Sequence, residues 1–172
     1  MTVFKIIIYL VIIALTSYIG VLKSKKLKDR EYILREMITF LNLVENEIKY
    51  MMSLLPNAYE VSRQKLITEL KPSIGNIVVD MLSLDNYYLI DQSIVENISS
   101  INGLTEYDKN VFVSTLKNLG RSDVDSQINI IENSINILEN QVKEANEVKL
   151  VNSKLYRTMG VITGLMIVII LI

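Results

Sequence analysis

Acidic side chains are the groups in this chain that could do chemistry, because the sequence contains no histidine and no cysteine. Histidine is the commonest general base and metal ligand, and cysteine supplies thiolate nucleophiles, so sites that need either residue are excluded. Pairs of nearby carboxylates occur at Glu45 and Glu47, Asp123 and Asp125, and Glu144 and Glu147. The pairs that are two residues apart point to different faces of a helix, which predicts solvated surface rather than a shared catalytic site. The sequence also lacks a phosphate-binding glycine loop and a nucleophile motif, so we predict no enzyme, no cofactor and no metal.

The segment Leu119-Gly120-Arg121-Ser122-Asp123 is the other candidate site. Gly120 is suited to the left-handed end of one helix and Ser122 to the N-cap of the next. Asp125 follows Ser122 by three residues, as in a capping box. Arg121 is an isolated cation in an acidic region; it can pair with Asp123 or Asp125, or bind a partner. The structural interpretation of this corner is favoured over partner binding.

Both ends of the chain are predicted to enter a membrane from the same side. Residues 6–22 form an uncharged run that is followed by the basic residues Lys23, Lys25, Lys26, Lys28 and Arg30. Residues 159–172 are apolar throughout and are preceded by Lys149, Lys154 and Arg157. Basic residues mark the cytoplasmic flank of a membrane helix, so the sequence between the two ends is expected to stay in the cytoplasm. The basic residues form a membrane-proximal collar.

Each membrane segment has a competing interpretation. A cleaved signal peptide at the N-terminus is disfavoured, because the apolar run is long and no small-residue cleavage pattern follows it. The C-terminal segment is only about 21 Å long as a helix, so it either spans the bilayer with local thinning or inserts partly. We predict an uncleaved anchor over residues 1–22, a cytoplasmic domain over 23–157 and a second membrane helix over 158–172.

Small residues recur at helical contact spacing within these membrane segments. Thr16 and Gly20 form one such pair, and Gly160 and Gly164 form a GxxxG pair. Such faces allow close approach of helix backbones in lipid, although glycine is also common in membrane helices for other reasons. They predict packing of the two helices on each other or on membrane partners.

The middle of the chain predicts an all-α fold, because its apolar residues recur every three to four positions. We predict helices over residues 29–55, 57–70, 73–84, 88–100 and 105–119, and a last helix from 122 that continues into the bilayer. Together they form an antiparallel six-helix bundle, flanked by N- and C-terminal transmembrane helices. The apolar stripe of the first helix is Ile33, Met37, Phe40, Val44, Ile48, Met51 and Leu55. The apolar seam of the last is Ile128, Ile131, Ile135, Leu138, Val142 and Ala145.

Charge is segregated along the chain although the net charge is only −1. Residues 1–30 carry +5 and residues 149–172 carry +3, whereas residues 31–148 carry −9. Anionic lipid attracts the basic ends, by about 1 kcal/mol per basic residue near the surface, and repels the acidic middle. The acidic middle lacks a stripe that could neutralise phosphates, so nucleic acid is excluded as a partner. The acidic surface either binds a basic protein partner or is solvated surface with no partner.

Two stretches resemble the stage III sporulation protein AB family. They are LGRSDVDSQ (119–127) and the tail MGVITGLMIVIILI (159–172), separated by a long polar helix. The N-terminal anchor and the stretch EIKYMMSLLPNAYE (47–60) fit the same family. The resemblance covers essentially the whole chain.

The resemblance implies a component of the sporulation channel complex in an endospore-forming bacterium. It implies a place in the mother-cell membrane around the forespore, with the soluble body facing the mother-cell cytoplasm. The family's soluble domain is similar to the cytoplasmic domains of platform proteins in type II secretion and type IV pilus machines, which are six-helix bundles. By this analogy the chain couples a cytoplasmic secretion-type ATPase to other membrane proteins of the complex. A homo-oligomer is also among the expected assemblies.

Three classes of function are therefore weighed. The leading hypothesis is a non-catalytic membrane platform. The alternative is a membrane-anchored helical sensor or regulator, which a ligand-sized apolar pocket in the bundle would favour. A membrane enzyme is the least supported, because histidine, cysteine and catalytic motifs are missing.

Overall fold

The computed structural model describes residues 2–83 and 86–171, and the side chains of those from Ile7 onward. Within these residues the chain is 86% helical and forms six helices and no strand, which confirms the predicted all-α fold. The helices are α1 (Thr2–Lys49), α2 (Leu55–Arg63), α3 (Leu70–Ser83), α4 (Tyr87–Ser99), α5 (Glu106–Asn118) and α6 (Val124–Leu171). Met1, Ile172 and residue 84, which the predicted segments included, lie outside the described residues.

Several observed helix ends differ from the predicted ones, and the helix predicted from residue 29 is continuous with the N-terminal membrane segment in α1. The first helix ends at Lys49 rather than at residue 55, because Met52 adopts a left-handed φ of 50°. Pro56 therefore lies in the first turn of α2, where its missing N–H costs no hydrogen bond. The second helix ends at Arg63 rather than at residue 70, because the N–H groups of Lys65 and Leu66 bond to carbonyls three residues back.

The chain forms two compact units. One comprises Met1–Glu31 with Glu144–Ile172, and the other comprises Tyr32–Lys143. We refer to them as the two-helix unit and the six-helix unit. The predicted membrane boundaries at residues 22 and 158 stay predictions.

The two-helix unit pairs α1 and α6 in antiparallel orientation. Tyr9 donates a hydrogen bond to the Leu171 carbonyl (3.1 Å), and the hydroxyls of Ser24 and Ser153 are hydrogen-bonded to each other (2.5 Å). Residue numbers thus rise along α1 as they fall along α6. Both helices contain a stretch that is long and apolar enough to cross a membrane.

The six-helix unit is built around the predicted stripe of α1. Ile33, Met37, Phe40, Val44 and Ile48 are buried, whereas Met51 is exposed and Leu55 is half-buried, so the predicted stripe is wrong beyond Ile48. Phe40 makes edge-on contacts with the rings of Tyr59 of α2 (5.2 Å) and Phe112 of α5 (6.0 Å). Helices α2 to α5 pack in sequence order, each on the next. Burial raises the pKa of Tyr59, whose hydroxyl has no partner among the described residues.

The buried seam of α6 differs from the predicted one at a single position. Ser134 is buried and Ile135 is only half-buried, while the other predicted seam residues are buried. The Thr115 hydroxyl of α5 donates to the Ser134 hydroxyl at 2.7 Å. A buried hydroxyl pair of this kind is stable only when both members are hydrogen-bonded. No sequence pattern indicated that Ser134 would occupy this contact in place of Ile135.

Glu36 of α1 holds the loop between α2 and α3. Its carboxylate is buried and accepts hydrogen bonds from the Ile67 N–H (2.7 Å), the Thr68 N–H (3.0 Å) and the Thr68 hydroxyl (2.5 Å). Hydrogen bonds to a charged acceptor are stronger than neutral ones. The loop therefore depends on a single acidic side chain from a distant part of the sequence.

We expect Glu36→Ala to lower the free energy of unfolding by about 2–4 kcal/mol, because it leaves loop amides without their charged acceptor. Thermal and chemical unfolding of the full-length protein in micelles, followed by circular dichroism, measures the change. The exposed residue Glu132 provides a matched control, since Glu132→Ala removes a carboxylate at no such contact and should change stability by less than about 0.5 kcal/mol. Equal losses in the two variants would contradict the anchoring role of Glu36.

Candidate functional site

An open pocket of about 770 Å³ lies in the six-helix unit, where one end of each of its six helices contributes to the wall. It is mainly apolar, and each helix supplies a lining residue: Ile48, Leu55, Met81, Tyr87, Leu116 and Val124. Sequence reasoning could not locate this pocket, because its walls come from six separate segments.

Several large apolar side chains around the pocket are exposed. Met52 is 87% exposed, Leu54 is 80% exposed and Tyr87 is 67% exposed, and all three belong to the lining. Scattered exposed apolar residues are ordinary, but a contiguous group beside a pocket marks an interaction site. The run Met51-Met52-Ser53-Leu54-Leu55, placed in a turn, was the sequence signal that could have indicated it.

The backbone at Met52 is strained and holds this side chain outward. A left-handed conformation in a residue other than glycine costs about 1–2 kcal/mol. The turn is secured by two bonds from Ser53 to Glu47: its N–H donates to the carbonyl (3.1 Å) and its hydroxyl to the carboxylate (2.8 Å). Strain of this kind concentrates at functional sites.

The corner at residues 119–127 forms another part of the pocket wall. Gly120 adopts φ of 77°, and a Cβ there would lie 3.1 Å from Leu55 Cδ2. Gln127 spans the corner: its side-chain oxygen accepts from the Gly120 N–H (3.0 Å) and its amide donates to the Ser122 carbonyl (2.8 Å). Glycine is therefore favoured by its left-handed conformation, and an added Cβ would also press on the Leu55 side chain of α2.

Asp123, and not Ser122, caps α6. The Asp123 carboxylate accepts from the Ser126 N–H (2.9 Å) and from the Ser126 hydroxyl (2.7 Å). The predicted capping box of Ser122 with Asp125 is wrong, because α6 begins at Val124 and its open N–H groups lie within reach of Asp123. The hydrogen bond from the Ser126 amide, followed by that from its hydroxyl, lowers the pKa of Asp123.

Arg121 pairs with a residue that sequence reasoning did not consider. Its guanidinium lies 2.6 Å from the Asp91 carboxylate of α4 and 5.5 Å from the centre of the Tyr87 ring. The expected pairing with Asp123 or Asp125 is wrong, because both of those side chains face other groups or solvent while α4 brings Asp91 to the corner. Arg121 is partly exposed, so this ion pair contributes little to stability.

The rim of the pocket is locally basic although the six-helix unit is acidic. Lys49, Lys117 and Arg121 line it, with Asp91 as the acidic member. Asp91 pairs with Arg121 (2.6 Å) and Lys49 lies 3.9 Å from Glu45, so of these cations Lys117 alone has no carboxylate partner among the described residues. The pocket thus combines an apolar wall with an edge where basic side chains outnumber acidic ones.

The four small residues of the membrane segments meet in the two-helix unit. A Cβ added to Gly160 would lie 2.7 Å from the Thr16 carbonyl oxygen, and one added to Gly20 would lie 2.5 Å from the Tyr156 carbonyl oxygen. A Cβ at Gly164 would lie 3.0 Å from Ile13 Cα and also meet the Thr16 hydroxyl. The atoms that would be met are mostly backbone, so the two helices approach as closely as glycine allows.

The basic collar divides into paired and unpaired cations. Arg30 lies 3.4 Å from Glu144, and Lys149, which the predicted flank included, lies 2.5 Å from Glu31. Lys23 sits 5.7 Å from the centre of the Tyr156 ring. Lys25, Lys26, Lys28, Lys154 and Arg157 are exposed and have no carboxylate partner among the described residues.

The sequence profile of the family described as Stage III sporulation protein AB matches residues 5–172, which is essentially the whole chain. No curated protein and no solved structure matches the chain.

We expect Gly160→Ala to weaken the pairing of α1 and α6. The chain lacks cysteine, so a Ser24→Cys, Ser153→Cys double variant should form a single disulfide that reports this pairing in membranes. Overpacking against backbone costs about 1–3 kcal/mol, so adding Gly160→Ala should reduce the crosslinked fraction in a glutathione buffer about tenfold. Gly75→Ala is the control, since a Cβ there meets only the Arg63 side chain at 3.5 Å. An undiminished crosslink with Gly160→Ala would refute the close contact.

Stability is expected to depend on pH through Asp123. Because the folded-state pKa is lowered, the contribution of this cap is present above the unfolded-state pKa of about 3.9 and is lost as pH falls through the folded value. Asp123→Ala should lower the melting temperature at neutral pH, and the difference from the parent protein should shrink in acid. Asp125→Ala, in the same helical turn, should have the smaller effect. A constant difference down to about pH 2.5 would exclude the ionised cap.

Proposed function

Since the chain belongs to the stage III sporulation protein AB family, we propose that it is the non-catalytic membrane platform of a sporulation channel complex between mother cell and forespore. Its membrane is the mother-cell membrane that surrounds the forespore, and the six-helix unit faces the mother-cell cytoplasm. The two candidate membrane spans support this placement, since each has its basic flank on the side toward the middle of the chain.

The observation that carries the platform role is the open apolar pocket with its basic rim. We propose that a segment of the complex's cytoplasmic ATPase binds there, as an amphipathic helix binds in a groove. The net charge of the unit predicted a basic partner, but the rim residues Lys49, Lys117 and Arg121 favour acidic residues beside the apolar anchors of the partner segment. The ATPase hydrolyses the nucleotide, and this chain supplies the attachment.

The route of coupling follows from which helices form the pocket. Ile48 and Lys49 of α1 and Val124 and Gln127 of α6 belong to its lining. Each of these two helices also contains a candidate membrane span. A partner bound in the pocket would therefore touch both helices that continue toward membrane components, which supports a role in passing movement to them.

A sensor or regulator is the second candidate function, and the pocket volume favours it. Small-molecule sites commonly measure about 300–1,000 Å³ and are mostly apolar with few polar groups. The pocket falls within this range. The two functions differ in what fills the same space: a protein segment in one and a small apolar ligand in the other.

We expect Leu54→Ala and Met52→Gly to weaken binding of the ATPase to the full-length protein in nanodiscs, each by about tenfold, as for central interface residues. Met52→Gly should not lower stability, because glycine adopts a positive φ freely, and a loss of binding would then be a surface effect. Ile67→Ala is the matched control, since Ile67 is 78% exposed but does not line the pocket.

A salt series with Arg121→Ala separates the apolar and charged parts of the contact. Binding of the parent protein should weaken as salt rises, and Arg121→Ala should reduce that dependence. Equal loss of affinity with Ile67→Ala would exclude the pocket as the docking site. Failure to bind at any ionic strength would overturn the ATPase coupling and leave the sensor function to be tested.

A further inference from the structure

We propose that the two-helix unit binds the phosphate group of an anionic phospholipid in a site between α1 and α6. A pocket of about 310 Å³ lies there, lined by Lys28 of α1 and by residues of α6. The α6 residues are Lys149, Leu150, Ser153, Lys154 and Arg157. This site shares no lining residue with the pocket of the six-helix unit, and the proposal does not depend on an ATPase binding there.

The charges around this pocket are unbalanced. Lys149 is neutralised by Glu31 at 2.5 Å. Lys28, Lys154 and Arg157 have no carboxylate partner among the described residues, although Arg157 donates from Nε to the Ser24 hydroxyl at 3.2 Å. Cations that share a pocket repel one another, and a phosphate that bridges them removes the repulsion. Arginine and lysine are the side chains that bind phosphate most strongly.

The depth of these residues points to a lipid headgroup as the source of the phosphate. Arg157 is two residues from the apolar tail that begins at Met159, and Lys154 is five residues from it, about 7 Å along the helix. Headgroup regions extend about 5–8 Å beyond the hydrocarbon core on each side. The ends of these side chains therefore meet the phosphate layer of the membrane.

The collar also contains cations that do not belong to the site. Lys25 and Lys26 are exposed, lie on the same helix as Lys28 and are nearer the apolar segment than Lys28, but they do not line the pocket. General attraction to an anionic surface would involve all these lysines alike. Lipid binding at a defined site should depend on Lys28 and Lys154, which line the pocket, more than on Lys25 and Lys26, which do not. The two pairs of lysines therefore allow a matched comparison.

The experiment uses the full-length protein in nanodiscs that contain phosphatidylglycerol and phosphatidylcholine in equal amounts. Native mass spectrometry after release counts the lipids that stay bound. The parent protein should retain phosphatidylglycerol in preference to phosphatidylcholine. Lys28→Gln with Lys154→Gln should reduce the retained phosphatidylglycerol about tenfold, whereas Lys25→Gln with Lys26→Gln should leave it nearly unchanged, since only the first pair contacts the phosphate. Circular dichroism verifies that both variants are folded.

Two outcomes would overturn the proposal. Equal retention by the two double variants would show that the collar attracts lipid only through its total charge. Displacement of phosphatidylglycerol by inorganic phosphate at comparable concentration would show that the site takes the free anion and not the lipid. Selective loss in Lys28→Gln with Lys154→Gln, together with resistance to inorganic phosphate, is the result that supports the lipid site.

Discussion

The close approach of α1 and α6 is the constraint on which the two-helix unit depends. Gly20 and Gly160 place the two backbones in contact, where lipid offers no hydrophobic force for helix association. Packing and hydrogen bonds must supply the attraction, and the Ser24–Ser153 bond continues the contact beyond the glycines. Because α1 is the first helix and α6 is the last, their pairing brings the two ends of the chain together.

Charge acts locally in this protein, in a way that its net charge of −1 does not reveal. The residues between 31 and 148 are acidic as a group, yet the pocket rim is basic because Lys49, Lys117 and Arg121 come together from three separate segments. Glu36 shows the converse: one acidic side chain is buried and meets only hydrogen-bond donors. The local grouping of charges, rather than the net charge, therefore indicates the charge that a partner surface should carry.

The features that the sequence predicted well are those that local rules control. The stripe from Ile33 to Ile48 is buried, because it depends on spacing within one helix. Gly120 takes the left-handed conformation expected after a helix. The small residues of the membrane segments were identified from their spacing alone.

The features that sequence reasoning missed depend on distant contacts. Arg121 meets Asp91, which is thirty residues away, and no local pattern encodes that pairing. The shift of the α6 cap from Ser122 to Asp123 follows from the residue at which the helix begins, Val124, which no local pattern specified. The pocket itself combines six helix ends, so no single motif could predict it.

The form of the pocket bears on which of its two candidate occupants is the better fit. A small-molecule site usually buries about 70–90% of its ligand, which requires walls that enclose it. Here the lining includes Met52 and Leu54, whose side chains are almost fully exposed. Exposed side chains of this size gain most when a large partner covers them, and methionine adapts its shape to such surfaces. The left-handed backbone at Met52 leaves this side chain exposed beside the pocket. The geometry therefore favours a protein segment over a small ligand, and the platform over the sensor.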